Sequence, residues 1–80
     1  MLKMKRVLII DDDPDICLLL ERFLKRNDMQ VSKAFSAAKG LEMLRKEVID
    51  LVLCDFRLPD AEGMQVLQKI KTLKPAVAVI

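Results

Sequence analysis

Eighty residues, 52% of them hydrophobic and 32% charged, with a formal net charge of +2, suit one small soluble domain over 1–80 and exclude a disordered chain. No apolar run exceeds five residues, which excludes a membrane-spanning helix, and the apolar core of MLKMKRVLII is too short for a signal peptide, so the cytoplasm is the expected location. Lys3, Lys5, Arg6, Lys25, Arg26, Lys69, Lys71 and Lys74 lack glycine or aromatic interleaving, so they read as solvated element ends and direct nucleic-acid contact is not expected.

Val7 to Ile10 is a run of apolar residues that ends abruptly in Asp11, Asp12 and Asp13. Apolar residues on both faces suit a strand covered on both sides, as in a parallel sheet. Asp13-Pro14 then reads as a helix N-cap followed by proline in the first turn, with Asp15 favourable beside it. From Pro14 to about Arg26, Ile16, Leu19, Leu20, Phe23 and Leu24 recur at helical spacing and are expected in the core, and Asn27-Asp28 breaks the helix. Gln30 to Phe35 is a shorter, β-branched stretch suited to a sheet-edge strand. Ser36 caps a second helix from about Ala37 to Lys46, with Ala38, Leu41 and Leu44 or Met43 as its apolar stripe and Gly40 as a tolerated interruption.

Leu51 to Cys54 is the next buried strand and runs into Asp55. Phe56 to Gly63, rich in proline, aspartate and glycine, is a loop. Met64, Leu67, Ile70 and Leu73 mark a third helix ending before Pro75, and Val77 to Ile80 is a last strand. Strand and helix alternating in this way predict an α/β fold, a parallel open sheet with helices on both faces, joined by right-handed crossovers. Cys17 and Cys54 fall within apolar patterns and are expected as buried free thiols.

Ligands of open α/β sheets bind at the carboxyl ends of the strands. If the first and third strands are parallel neighbours, Asp11, Asp12 and Asp55 converge there. Three mutually repelling carboxylates are most simply reconciled by a hard divalent cation, and few carboxylates plus water favour Mg²⁺. Two other uses of these acids are possible. Asp11 and Asp13 form a DxD resembling the nucleophile motif of haloacid-dehalogenase-type phosphatases, with Asp11 as nucleophile, although Asp15 replaces the usual threonine or valine and Asp55 is left without a role. Asp11, Asp13 and Asp15 also alternate as in an EF-hand, but Ile16 stands where glycine is needed, Arg22 where the bidentate glutamate is needed, and Pro14 lies inside the loop.

Taken together, VLIIDDDPD and LVLCDFRLPDAEG resemble the receiver domain of bacterial two-component response regulators over the whole chain. The resemblance implies a flavodoxin-like receiver fold running β-α-β-α-β-α-β, with Asp55 as phosphoacceptor and a sensor histidine kinase as partner. It implies Mg²⁺ held by Asp11, Asp12, Asp55 and the main-chain carbonyl of Arg57, with Pro59 and Gly63 shaping the loop. The FRLP wording is similar to receivers that precede ATPase-type transcription activator domains. Receivers continue with a serine or threonine after the fourth strand, then a helix, a fifth strand ending in lysine and a last helix. These features are not in this sequence, so a partial receiver is expected, either still a phosphoacceptor or an inert structural fragment. Val77 to Ile80 would then be an exposed edge through which two chains pair as a homodimer.

Overall fold

In the computed structural model, which describes residues 4–80, Arg6–Ile10 forms β1, and Val7 through Ile10 are fully buried. Both of its faces are apolar because both are covered. Val7 and Ile9 pack with Cys17 and Leu24 of α1 (Pro14–Arg26). On the opposite face, Leu8 and Ile10 join Leu41 and Leu44 of α2 (Ala37–Lys46) and Val66 and Ile70 of α3 (Gly63–Leu73). The remaining strands are β2 (Gln30–Ala34), β3 (Leu51–Cys54) and β4 (Ala78–Val79). All pairings are parallel in the order β2-β1-β3-β4, so the expected elements occur in the expected sequence, with β2 at an edge. Residues 1–3, the opening of the expected 1–80 unit, lie outside the described residues.

The register of the sheet positions the site. Ile10 is level with both Ala34 and Cys54, so β1 and β3 end side by side and Asp11 and Asp55 leave the sheet together. Main-chain bonds continue the ladder one step further: Asp11 N–H donates to the Ala34 carbonyl at 3.0 Å and Asp55 N–H to the Ile10 carbonyl at 2.8 Å.

Helix ends follow local chemistry. The Asp13 carboxylate accepts from Asp15 N–H at 2.9 Å and Ile16 N–H at 3.4 Å, with Pro14 in the first turn. The Ser36 hydroxyl accepts from Lys39 N–H at 3.2 Å. At the end of α1, Asn27 Nδ2 donates back to the Phe23 carbonyl and Asp28 takes a left-handed φ of 60°, a conformation aspartate tolerates better than most residues.

The helix faces depart from the expected phases. Leu19 and Phe23 are 69% and 63% exposed, and Ile16 is also exposed. Cys17, Leu20 and Leu24 turn to the sheet instead, while Glu21 beside them pairs with Lys33 of β2 at 3.0 Å. With Cys17 and Leu24 buried against Val7 and Ile9, Ile16, Leu19 and Phe23 are left on the solvent side of α1. On α2, Ala37 and Gly40 are buried and Ala38 is exposed. Gly40 is therefore a packing residue: a β-carbon there would meet Ile10. On α3, Val66 and Ile70 are buried, Leu67 is half-buried, and Met64 and Leu73 are exposed. β2 stops before the exposed Phe35. β4 is shorter than Val77 to Ile80, because Val77 N–H is engaged in a turn with the Lys74 carbonyl.

Candidate functional site

Asp11, Asp12 and Asp55 meet at the carboxyl end of the sheet, where each offers a carboxylate oxygen and these oxygens lie within 4.8 Å of one another. Asp11 and Asp55 are half-buried and Asp12 is exposed. Their neighbours constrain them without neutralising them. Asp13 N–H donates to Asp11 Oδ1 at 2.9 Å, and Arg57 N–H donates to Asp55 Oδ1 at 3.4 Å. Among the described residues, none of the Lys–Glu ion pairs includes any of the three aspartates. Like charges this close repel by about 1 kcal/mol per pair even in bulk water.

The donors are hard oxygens. Cys17 and Cys54 stand beneath the site with their Sγ atoms 3.4 Å from the main-chain oxygens of Asp11 and Asp55. Burial, and then the nearby Asp11 and Asp55 respectively, push these thiols above their ordinary pKa, which disfavours the thiolate. Both are free, Cys17 buried and Cys54 half-buried. Asp13 is spent on the α1 cap, which leaves the DxD reading without its second acid, and Asp15 lies in the first turn of α1.

The loop after Asp55 folds back as a small hairpin. Arg57 and Glu62 form an antiparallel bridge flanked by Gly63 N–H to the Phe56 carbonyl at 2.7 Å and Leu58 N–H to the Ala61 carbonyl at 3.1 Å. With the flanking residues supplying the cross-bonds, Arg57 is in a non-hydrogen-bonded pair, so its own N–H and C=O point away from the hairpin. The N–H is used by Asp55, and the carbonyl remains available as a ligand. Gly63 is required at the root, since a β-carbon would lie 2.9 Å from the Phe56 oxygen and 3.0 Å from its Cα. Pro59 is exposed near the hairpin tip.

One participant carried no signal in the sequence. Asp60, beside Pro59, reaches α2 and accepts from Ala37 N–H and Ala38 N–H, each at 2.9 Å. A groove between α2 and α3, lined by Leu41, Arg45, Gln68 and Lys69, contains no carboxylate and lies away from the acids.

Residues 7–80 match the family model described as the response regulator receiver domain. The chain is 39% identical over 74 residues to the transcriptional regulatory protein ZraR of Escherichia coli K12, an alignment covering 92% of this chain and 17% of that protein. A CheY-like receiver domain protein from Methanospirillum hungatei superposes with a TM-score of 0.94 at 35% identity, covering 96% of this chain and 62% of that one. The response regulator TrrA of Thermotoga maritima, solved with Mg²⁺-BeF, gives 0.90 at 29% identity over 95% of this chain and 66% of its own. TrrA has also been solved in complex with the histidine kinase ThkA, where the TM-score is 0.89. The chain thus spans about a sixth of the curated relative and under two thirds of these solved receivers, and no helix among its described residues is long and apolar enough to cross a membrane. Parallel topology, level strand ends carrying three aspartates, and the family match over 7–80 agree: this chain belongs to the receiver domain family of two-component response regulators.

Proposed function

We propose that this chain, one partial receiver unit over 1–80, is a phosphoacceptor module in which Asp55 takes a phosphoryl group from a sensor histidine kinase. Asp11, Asp12, Asp55 and the Arg57 carbonyl would hold Mg²⁺. The observation that carries this reading is the approach of the three carboxylates to within 4.8 Å without a basic partner among the described residues. An all-oxygen donor set with few protein ligands, completed by water, fits Mg²⁺ and fits softer metals poorly. When bound, the ion offsets the repulsion between a carboxylate and an incoming phosphoryl group.

The chain's own residues supply positioning. Asp55 is fixed by its N–H on Ile10 and by Arg57 N–H on Oδ1, which leaves a carboxylate oxygen to attack phosphorus. The P–N bond of a phosphohistidine breaks as an acyl phosphate forms on Asp55. No histidine occurs in residues 1–80, so the donor lies outside this unit, and the TrrA–ThkA complex supports a kinase in that role. The chemistry is transfer to one aspartate and later hydrolysis, not turnover of a separate substrate. The module acts in the cytoplasm, with no nucleic-acid contact assigned to its basic residues.

The test is incubation with Mg²⁺ and a small phosphodonor, followed by mapping of the phosphate by mass spectrometry. Phosphate on Asp55, lost in Asp55→Asn, is the expected result. Phosphate on Asp11 would replace this reading with the phosphatase-type one, and no phosphate at all would leave a structural fragment. As an 80-residue polypeptide, the chain is also proposed to pair with a second copy through Val77 to Ile80, because β4 stands at the sheet edge with Ile80 exposed and an open strand edge is a template for pairing.

A further inference from the structure

We infer that Asp60 is a positioning residue for the Mg²⁺ site, clamping the hairpin that carries Arg57 onto the N-terminus of α2; this rests on the metal reading above. The first N–H groups of a helix have no partner within it. In α2 they are divided between two acceptors: Ser36 Oγ takes Lys39 N–H at 3.2 Å, while the two Asp60 oxygens take Ala37 N–H and Ala38 N–H at 2.9 Å each. Ser36 adjoins the helix, so its cap is local. Asp60 lies 22 residues beyond Ala38, at the tip of the 57–62 hairpin, so its cap ties two separate elements together.

What the tie fixes follows from the hairpin. Its root is held by Gly63 N–H on the Phe56 carbonyl, and Leu58 and Ala61 rest against the core. Apolar contacts of that kind are non-directional and permit the hairpin to rock about its root. Two charge-assisted bonds from separate oxygens to successive N–H groups fix direction as well as distance, and the helix dipole favours the carboxylate there. Arg57 lies between root and tip. Rocking would turn its outward N–H and C=O together, loosening the bond to Asp55 Oδ1 and withdrawing the carbonyl from the metal.

The experiment compares Asp60→Ala, Asp60→Asn, Ser36→Ala and Asp12→Ala, with Mg²⁺ titrated against amide chemical shifts at a temperature where each is folded by circular dichroism. Removing an outer support of a ligand typically weakens metal binding by on the order of tenfold or more, so Asp60→Ala should raise the Mg²⁺ dissociation constant by about that factor. Asp60→Asn, with one acceptor oxygen in place of two, should fall between it and wild type, and it serves alone if the alanine variant does not fold. Ser36→Ala should lower the melting temperature and leave Mg²⁺ affinity unchanged. Wild-type affinity in the Asp60 variants, or equal weakening by Ser36→Ala, would overturn the inference. Asp12→Ala separates the two levels: loss of binding there with wild-type affinity at Asp60 rejects only the clamp, whereas binding that survives Asp12→Ala rejects the metal site and the clamp together.

Discussion

Gly40 of α2 and Ile10 of β1 are packed so closely that a β-carbon on Gly40 would lie 2.5 Å from Ile10 Cδ1 and 2.8 Å from Cγ1. Gly40→Ala gains about 1 kcal/mol in helix propensity. Overpacking a fully buried β-branched residue costs about 1–3 kcal/mol, so a net loss of stability is expected in urea unfolding. Ile10→Val removes Cδ1, and the double variant should be more stable than the sum of the single effects predicts, a coupling a double-mutant cycle measures directly. Simple additivity would show that the contact does not limit helix approach.

Asp12→Ala should have opposite effects with and without Mg²⁺. In chelator it relieves repulsion and raises stability by about 1 kcal/mol or less, since Asp12 is exposed and water screens it. With excess Mg²⁺ the wild type gains stability by mass action and the variant does not. Melting curves in both buffers check this, and an equal response to Mg²⁺ would remove Asp12 from the ligand set.

The Asp60 clamp should be sensitive to acid. The Ala37 N–H, and then the Ala38 N–H, hold its carboxyl below the ordinary value of 3.8. A group depressed in the folded state contributes stability above its unfolded pKa and loses it as pH falls through the lower folded value. Wild type and Asp60→Asn should therefore differ in melting temperature at neutral pH and converge below about pH 4. A difference that persists in strong acid would assign the effect to shape rather than charge.

Along α1, neighbouring positions should respond unequally. Leu24 is buried against Val7 and Ile9, so Leu24→Ala should cost about 2–5 kcal/mol. Phe23→Ala, on the exposed flank, should stay within about 0.5 kcal/mol. The contrast reflects what the sequence could and could not show. Apolar residues from Ile16 to Leu24 occupy more than one arc of the helix, so periodicity established a helix without saying which arc meets the sheet. The arc that does carries Cys17, Leu20 and Leu24 against Val7 and Ile9, contacts between elements that spacing along one helix does not reveal. Local features were legible: Asp13-Pro14 and Ser36 cap α1 and α2, and the apolar runs ending in Asp11 and Asp55 are β1 and β3. Asp60 was not, because its partners are 22 and 23 residues away and nothing in PDAEG distinguishes a clamp from a solvated turn.

Val79→Lys should shift any pairing of 80-residue chains toward monomer, as a charge on an edge strand opposes pairing. Sedimentation across a dilution series checks this. A wild-type chain that is monomeric and cooperatively folded throughout would dismiss the pairing.

Ile10 stands level with both Ala34 and Cys54, and that alignment makes the acidic site a gauge of how the strands are threaded. One residue inserted in β3 would advance Asp55 by about 3.3 Å and swap the two faces of the strand beyond the insertion. Val52, Cys54 and the carboxylate would all be displaced by that single event. Strand slippage therefore cannot accumulate unnoticed in this chain: any shift between β1 and β3 would part Asp55 from Asp11 and Asp12.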